Sequence, residues 1–204
     1  MENMLAAKDL TLAYGKKNIL DEVSFSLHAG QAAALLGENG SGKSTLLCTL
    51  AGILAPKSGE IIVHGRIAYL PQEIALVEEL TFADNLKFFA SLAGCAVPDT
   101  LPFGADDLRK LRIAKMSGGM KKLCSIACTL LTDADIYLFD EPCAALDRAH
   151  REMFLDYTAT LARAGKIVLY AAHDREEYMR FADTAITIEN KKLYTESMCE
   201  VAHA

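Results

Sequence analysis

The sequence lacks any apolar run of about 18 residues, so we expect no membrane-spanning helix in this chain. Its start, MENMLAAKDL, lacks the basic segment and apolar core of a secretory signal peptide. The net charge of −6 argues against a basic face of the kind that binds nucleic acid. There is no internal repeat and no low-complexity linker. We therefore expect one domain over residues 1–204 and no nucleic-acid partner.

The six cysteines include no CxxC pair and are too sparse for a secreted disulfide scaffold. Cys124 and Cys128 lie four residues apart on a predicted helix and could in principle hold a metal. No histidine or further cysteine joins them at ligand spacing, which argues against a metal site. We interpret the cysteines as reduced, partly buried thiols of a cytosolic protein.

Hydrophobic patterning predicts an α/β fold. Short β-like segments occupy 10–14, 23–27 and 32–37. Two continuous apolar strands follow at 136–141 and 167–174, with a helix from about Ala149 to Ala164 between them. Continuous apolar strands that alternate with helices indicate a largely parallel sheet covered on both faces. The antiparallel-looking start predicts a β subdomain, and a helical subdomain is predicted to be inserted at about 76–132.

Further elements are predicted from local signals. A helix should begin at about Lys43 and end near Ala51, and a second should run from Thr81 to Ala93, where Thr81 and Asp84 have capping-box spacing. The stretch 105–132 is helical in pattern, interrupted only by two glycines. A strand pair is predicted around a turn at Gly65. The tail after Lys192 is predicted to be the least ordered part.

The segment GENGSGKST matches the phosphate-binding pattern G-x-x-x-x-G-K-[ST] without a mismatch. It follows an apolar strand and opens a helix, so its backbone N–H groups and the helix dipole would form a polyphosphate site. Lys43 would reach the β- and γ-phosphates, Ser44 would bind Mg²⁺, and Thr45 would lie near the α-phosphate. The predicted nucleotide-binding residues here are Gly37, Glu38, Asn39, Gly40, Ser41, Gly42, Lys43, Ser44 and Thr45.

Two acidic residues end the apolar strand IYLFDE. Carboxylates at the carboxyl end of such a strand are poorly placed for a core but well placed beside the Mg²⁺ of the phosphate loop. Asp140 would hold the metal, largely through water. Glu141 would orient and deprotonate the attacking water.

With these motifs in this order, the chain resembles the nucleotide-binding subunit of an ATP-binding cassette (ABC) transporter, from Leu10 to about Tyr194. Tyr14 matches the aromatic residue that stacks on adenine, and Gln72 matches the glutamine that touches the Mg²⁺ and water region. MSGGM, starting at Met116, matches the signature usually written LSGGQ. Asp147 ends a segment that resembles the D-loop, and His173 looks like the switch histidine that contacts the γ-phosphate.

The resemblance implies an Mg²⁺-dependent ATPase with a P-loop NTPase core and a small α-helical signature subdomain. Two such domains would pair head to tail, as a homodimer or a heterodimer. Ser117, Gly118 and Gly119 of one would then grip the γ-phosphate held by the other, which explains two adjacent glycines before a helix. Separate transmembrane subunits would place the protein on the cytoplasmic face of the cell membrane. The sequence leaves the cargo and the direction of transport open.

Several features leave alternatives open. Met120 stands where the signature usually has glutamine, which predicts weaker binding across the dimer. Related cassettes also serve soluble assemblies, and one devoted to iron–sulfur cluster assembly stays an alternative. A P-loop kinase acting on a small molecule fits less well, because it explains neither MSGGM nor His173.

Overall fold

The computed structural model describes residues 4–15, 17–172 and 175–198, and its secondary structure confirms the predicted α/β class. The strands are β1 (Met4–Tyr14), β2 (Lys17–His28), β3 (Ala32–Leu36), β4 (Ser58–His64), β5 (Ile67–Leu70), β6 (Ile136–Asp140), β7 (Ile167–Ala171), β8 (Thr184–Glu189) and β9 (Lys192–Ser197). The α-helices are α1 (Lys43–Leu50), α2 (Phe82–Ala93), α3 (Gly118–Thr129), α4 (Arg148–Arg163) and α5 (Arg175–Tyr178).

A six-stranded sheet in the order β5-β6-β7-β3-β8-β9 forms the centre of the molecule. The first five strands of this order run parallel, and β9 closes the edge antiparallel to β8. Every residue of β6 and β7 is buried. This burial on both faces is why these strands have continuous apolar sequences rather than an alternating pattern.

Two hydrophobic cores lie on the two faces of this sheet. In β6, Tyr137 and Phe139 pack into the core shared with α2, α3 and α4. The alternate residues Ile136 and Leu138 pack into the core shared with α1 and the antiparallel strands. Successive side chains of a strand point to opposite faces, so one short strand serves both layers.

The antiparallel subdomain is a separate three-stranded sheet in the order β2-β1-β4. The predicted strand pair around Gly65 is wrong, although both of its strands exist. β4 pairs with β1, whereas β5 pairs parallel with β6 in the central sheet. The chain changes sheets at Gly65, and the backbone N–H of Arg66 donates to Asp135 Oδ2 over 2.9 Å. Gly65 therefore marks the point where the chain passes from the antiparallel sheet to the central sheet, and not a hairpin turn.

The helical block is less helical than its sequence pattern indicates. The α2 helix is capped as predicted, with the backbone N–H of Asp84 donating to Thr81 Oγ1. The helical pattern predicted over 105–132, interrupted at two glycines, is wrong in its first half, where the structure has short 3₁₀ segments at Pro102–Leu108 and Ile113–Lys115. The glycines do not interrupt a helix but begin α3, for which Ser117 is the N-cap.

The described start of the tail after Lys192 is more ordered than predicted, and residues 199–204 lie outside the described residues. The described start forms β9, which pairs with β8 in register from Thr184–Ser197 to Glu189–Lys192. Asn190 and Lys191 form the two-residue turn, with φ of 49° and 65°. Two left-handed residues are what a tight hairpin turn requires, and asparagine tolerates that conformation. This strand was not predicted because its residues are mostly polar, as is common for an exposed strand at the edge of a sheet.

Candidate functional site

The predicted P-loop, Asp140 and Gln72 lie at one edge of the central sheet. The P-loop follows β3, Asp140 is the last residue of β6, and Gln72 comes two residues after β5. Because these strands are parallel members of one sheet, their carboxyl ends meet at the same edge. Segments more than sixty residues apart in sequence are thus brought together by the sheet.

The P-loop wraps around its own lysine. Lys43 is 5% exposed, and its Nζ donates to the carbonyl oxygens of Gly37 over 2.7 Å and Glu38 over 3.2 Å. Burial lowers the pKa of Lys43, while the charges of Glu141 and Asp140 oppose that shift. Gly42 caps α1 with φ of 111°, and a Cβ there would lie 2.5 Å from Ile19 Cγ2. Glycine is therefore required here by both conformation and space.

A cavity of about 300 Å³ opens beside this loop. Within it, Gln72 Nε2 donates to Glu141 Oε2 over 3.0 Å. Glu141 has φ of 48°, so the chain turns sharply out of β6 immediately after Asp140. Left-handed backbone at a bulky residue is strained and persists only where surrounding structure holds it. The cavity is lined by Ile19, Asn39, Gly40, Gly42, Lys43, Ser44, Thr45, Gln72 and Glu141.

Asp140 has an unsatisfied buried oxygen. The residue is 1% exposed, and its Oδ1 has no hydrogen-bond partner among the described residues. A hydrogen bond from Ser44 lowers the pKa of Asp140, but burial outweighs it and raises that pKa overall. A carboxylate oxygen beside a hydroxyl oxygen is the hard donor set that Mg²⁺ prefers. The residues present at this edge therefore fit a magnesium ion.

A second cavity, of about 780 Å³, lies on the other side of the P-loop. Tyr14 lines it and is 84% exposed, so one face of its ring is open to a planar ligand. The turn between β8 and β9 closes the far wall with Glu189, Asn190 and Lys191. These wall residues were missed from the sequence, because Tyr14 and the turn are 175 or more residues apart and belong to different sheets. Contacts between the two sheets, such as the hydrogen bond from the Asp21 N–H to the Lys191 carbonyl oxygen, bring them together.

The signature segment and Asp147 do not line either cavity. Ser117 and Gly118 are exposed at the start of α3, and Ser117 Oγ accepts from the backbone N–H of Met120 over 3.3 Å. Asp147 is the N-cap of α4, where the backbone N–H of His150 donates to its Oδ1. Their predicted roles need a nucleotide held by another molecule. His173 lies outside the described residues.

The structure gives Gly119 and Met120 intrachain surroundings that sequence patterns did not reveal. A Cβ on Gly119 would lie 2.6 Å from the carbonyl oxygen of Ala145, so glycine is needed for packing within one chain. Met120 is half-buried and packs against the core shared with α2, α3 and α4. Its side chain therefore contributes to its own subunit's interior.

Lys122 is a second residue that sequence analysis missed. It is 2% exposed, and its Nζ donates to the carbonyl oxygens of Pro71 and Gln72 over 3.3 and 3.2 Å. Burial lowers its pKa, and the charges of Asp140 and Glu141 oppose the shift. The helical spacing could have indicated its burial, because Lys122 lies one helical turn before the apolar Ile126 and so on the same face of α3.

Cys124 and Cys128 are buried in the core, where burial raises the pKa of each thiol to about 12. The described residues contain no group of three or more histidine, cysteine, aspartate or glutamate side chains placed to hold a metal. Within the part of the chain that the structure describes, no helix is long and apolar enough to cross a membrane.

Known proteins match this chain in sequence and structure. The family described as ABC transporter matches residues 20–144. An uncharacterized ABC transporter ATP-binding protein of Methanocaldococcus jannaschii is 32% identical over 200 residues, covering 94% of this chain and 76% of the relative. The linearmycin resistance ATP-binding protein LnrL of Bacillus subtilis is 34% identical over 194 residues, covering 85% of this chain and 62% of LnrL.

A solved ATP-binding subunit of an ABC transporter superposes with a TM-score of 0.86 at 26% identity, covering 97% of this chain and 91% of that structure. The predicted P-loop NTPase fold is thereby confirmed. The family resemblance drawn from the motifs is confirmed as well. The chain belongs to the ABC transporter family, as an ATP-binding ATPase subunit.

Proposed function

We propose that this chain binds Mg-ATP at the carboxyl edge of its central sheet and hydrolyses it to drive a separate membrane-spanning partner. The observation that carries the proposal is the convergence, on one cavity, of the P-loop lysine and the hydrogen-bonded pair of Gln72 and Glu141. The buried carboxylate of Asp140 stands beside this cavity, next to Ser44. Phosphate binding, metal binding and water activation therefore have side chains within one site.

The P-loop binds the triphosphate. Its backbone N–H groups and the start of α1 attract the phosphates, and Lys43 exchanges the carbonyls of Gly37 and Glu38 for β- and γ-phosphate oxygens. Tyr14 stacks on adenine in the larger cavity, because its ring is exposed and lies beside the loop. The charges of Glu141 and Asp140 act to raise the pKa of Lys43, against the lowering by burial.

Ser44, Asp140 and Gln72 would hold Mg²⁺ through oxygen atoms. When bound, Mg²⁺ neutralises charge on the phosphates. Asp140 contributes a buried carboxylate oxygen that has no protein partner among the described residues. Ser44 contributes its hydroxyl from the first turn of α1.

Glu141 accepts a proton from the attacking water, which Gln72 orients. The water oxygen attacks the γ-phosphorus, the bond from that phosphorus to the bridging oxygen breaks, and ADP leaves with inorganic phosphate. The hydrogen bond from Gln72 Nε2 to Glu141 Oε2 holds both side chains at the cavity where this water would stand. His173 would contact the γ-phosphate by the family resemblance.

A second nucleotide-binding domain completes the site. Ser117, Gly118 and Gly119 do not line this chain's two cavities and would bind the γ-phosphate of the partner's ATP, with Asp147 at the same interface. Ser117 and Gly118 are exposed at the start of α3, and the N-terminus of a helix suits contact with an anion. Closure of this dimer on ATP would move the partner subunits in the membrane, at its cytoplasmic face.

Transport by a membrane complex is supported by the relatives, one of which is named for resistance to linearmycin. The test is phosphate release by the purified chain against protein concentration, with Mg-ATP and with a chelator. We expect a rate that rises cooperatively and is abolished by the chelator. Absence of hydrolysis with Mg-ATP at any concentration contradicts the proposal for a homodimer. Recovery with detergent-solubilised membrane proteins tests the partner, whereas recovery with only soluble assembly proteins supports the iron–sulfur alternative.

A further inference from the structure

Lys122 connects the signature helix to the loop that carries Gln72. Its ammonium lies on α3, four residues after the helix begins at Gly118, and donates to the backbone carbonyls of Pro71 and Gln72. These are the two residues that follow β5. One side chain therefore joins two segments that are about fifty residues apart in sequence.

Burial of the Lys122 ammonium group destabilises the fold. Lysine is almost never fully buried unless it is paired, yet Lys122 is 2% exposed. Its carbonyl partners are neutral, and the charges that offset its burial are those of Asp140 and Glu141. An apolar side chain would fill the same place in the core without this cost. At this position the charge of Lys122 interacts with the carboxylates of Asp140 and Glu141. Its ammonium group also donates to the backbone carbonyl of Gln72.

The helix makes a rigid connection between two contacts. At a rise of about 1.5 Å per residue, Lys122 lies about 6 Å along the axis from Gly118. A displacement of the helix start by a nucleotide bound across the interface would therefore be carried to Lys122 with little loss. Lys122 contacts the backbone carbonyl of Gln72, and the side chain of Gln72 in turn donates to Glu141.

We propose that Lys122 is a positioning residue which transmits engagement of the signature turn with the partner's ATP to Gln72 and Glu141. The inference rests on the proposed function, because it needs hydrolysis within a dimer. In this arrangement, engagement of α3 by the other subunit's nucleotide shifts the carbonyl of Gln72 through Lys122 and so adjusts how that subunit holds its own water-orienting pair. Hydrolysis at the two sites is thus linked through a single buried side chain in each chain.

The test compares Lys122→Met, Lys122→Arg and the control Lys121→Met. Lys121 is the neighbouring lysine on α3, but it pairs with Glu78, away from both carboxylates. For Lys122→Met we expect kcat for ATP to fall about 10–100-fold, the usual effect of losing a supporting contact behind a reacting group. KM for ATP and the affinity for a fluorescent ATP analogue should change less than about twofold, because the P-loop is untouched.

Lys122→Arg keeps the charge and the donors and should restore kcat to within about threefold of wild type. Lys121→Met should leave kcat unchanged. Wild-type kcat in Lys122→Met overturns the inference, as does an equal loss in Lys122→Met and Lys122→Arg. If Lys122→Met does not fold, a wild-type kcat in the folded Lys122→Gln overturns it instead. Loss of hydrolysis in the wild-type chain itself would count against the proposed function and not against Lys122 alone.

Discussion

Each of the two glycine-rich turns stands directly before a helix, yet glycine meets a different requirement in each. In the P-loop, Gly40 and Gly42 have φ of 79° and 111°, which other residues adopt only with strain. The signature glycines have no left-handed angle. Gly119 instead leaves space for the carbonyl oxygen of Ala145, which a Cβ would approach to 2.6 Å. Backbone conformation selects glycine in the first turn, and close packing selects it in the second.

The two turns also differ in what their own chain supplies. The P-loop has its lysine buried against loop carbonyls and its cavity bounded by Gln72 and Glu141. The signature turn exposes Ser117 and Gly118 at a helix start, away from both cavities. Backbone N–H groups at a helix start need partners from a side chain, water or a ligand. This difference is what a site divided between two subunits requires, as proposed above.

The strongest test of the P-loop side is Glu141→Gln, which removes the proposed base but keeps the hydrogen-bonding shape. We expect hydrolysis to fall about 10²–10⁴-fold, the range for loss of general base catalysis. ATP should still bind, and a closed dimer should accumulate in Mg-ATP on size-exclusion chromatography. Wild-type turnover in this variant would assign the base to another residue.

A second test of the same turn is Lys43→Ala. Loss of a positioned cation on the phosphates should reduce ATP turnover about 10²–10³-fold and weaken binding of ATP measured by calorimetry. Lys166→Ala is a suitable control, because Lys166 pairs with Asp133 outside both cavities. Normal affinity and normal turnover in Lys43→Ala would remove the P-loop assignment.

Gly119→Ala tests the packing explanation for the signature turn. A Cβ forced against the Ala145 carbonyl should lower the free energy of unfolding by about 1–3 kcal/mol without any nucleotide, the usual cost of overpacking. The matched control is Gly118→Ala, whose Cβ would meet Ala145 Cβ at an ordinary 3.9 Å. Urea unfolding measures both. Equal stability of the two variants would contradict the assignment of Gly119 to intrachain packing.

Gly118→Ala then tests whether Gly118 contacts the nucleotide of the partner subunit. Its free energy of unfolding should change by less than about 1 kcal/mol, because alanine is a better helix residue than glycine. If the Gly118 N–H contacts the partner's nucleotide, the added methyl group should reduce the cooperative rise of ATPase rate with protein concentration. A full cooperative rise in this variant would count against close approach of a nucleotide at Gly118.

Gly40→Ala tests the need for a left-handed conformation at a position where a side chain has room. A Cβ on Gly40 would meet nothing within 4 Å, but its φ of 79° is left-handed. We expect the free energy of unfolding to fall by about 1–2 kcal/mol, the cost of that conformation for an L residue. An unchanged unfolding midpoint would mean that the P-loop tolerates a side chain at this position.

Much of the candidate site could be proposed from the sequence because its motifs are local. Lys43 and Ser44 belong to one loop of nine residues, and Asp140 and Glu141 are neighbours at the end of a strand. Local spacing also predicted the capped start of α2 at Thr81. Lys122 could not be found in this way, because its partners Pro71 and Gln72 are about fifty residues away and are backbone atoms.

The sequence by itself determined the family, the P-loop, the buried strands and the order of the motifs, because each of these depends on residues close together in the chain. Only the tertiary structure decided that β4 and β5 belong to different sheets, that the polar segment Lys192–Ser197 forms β9, and that Gly119 packs on Ala145. Strand partners and close contacts depend on which distant segments meet. Neither hydrophobic periodicity nor a turn residue encodes that choice, since several pairings satisfy the same local pattern.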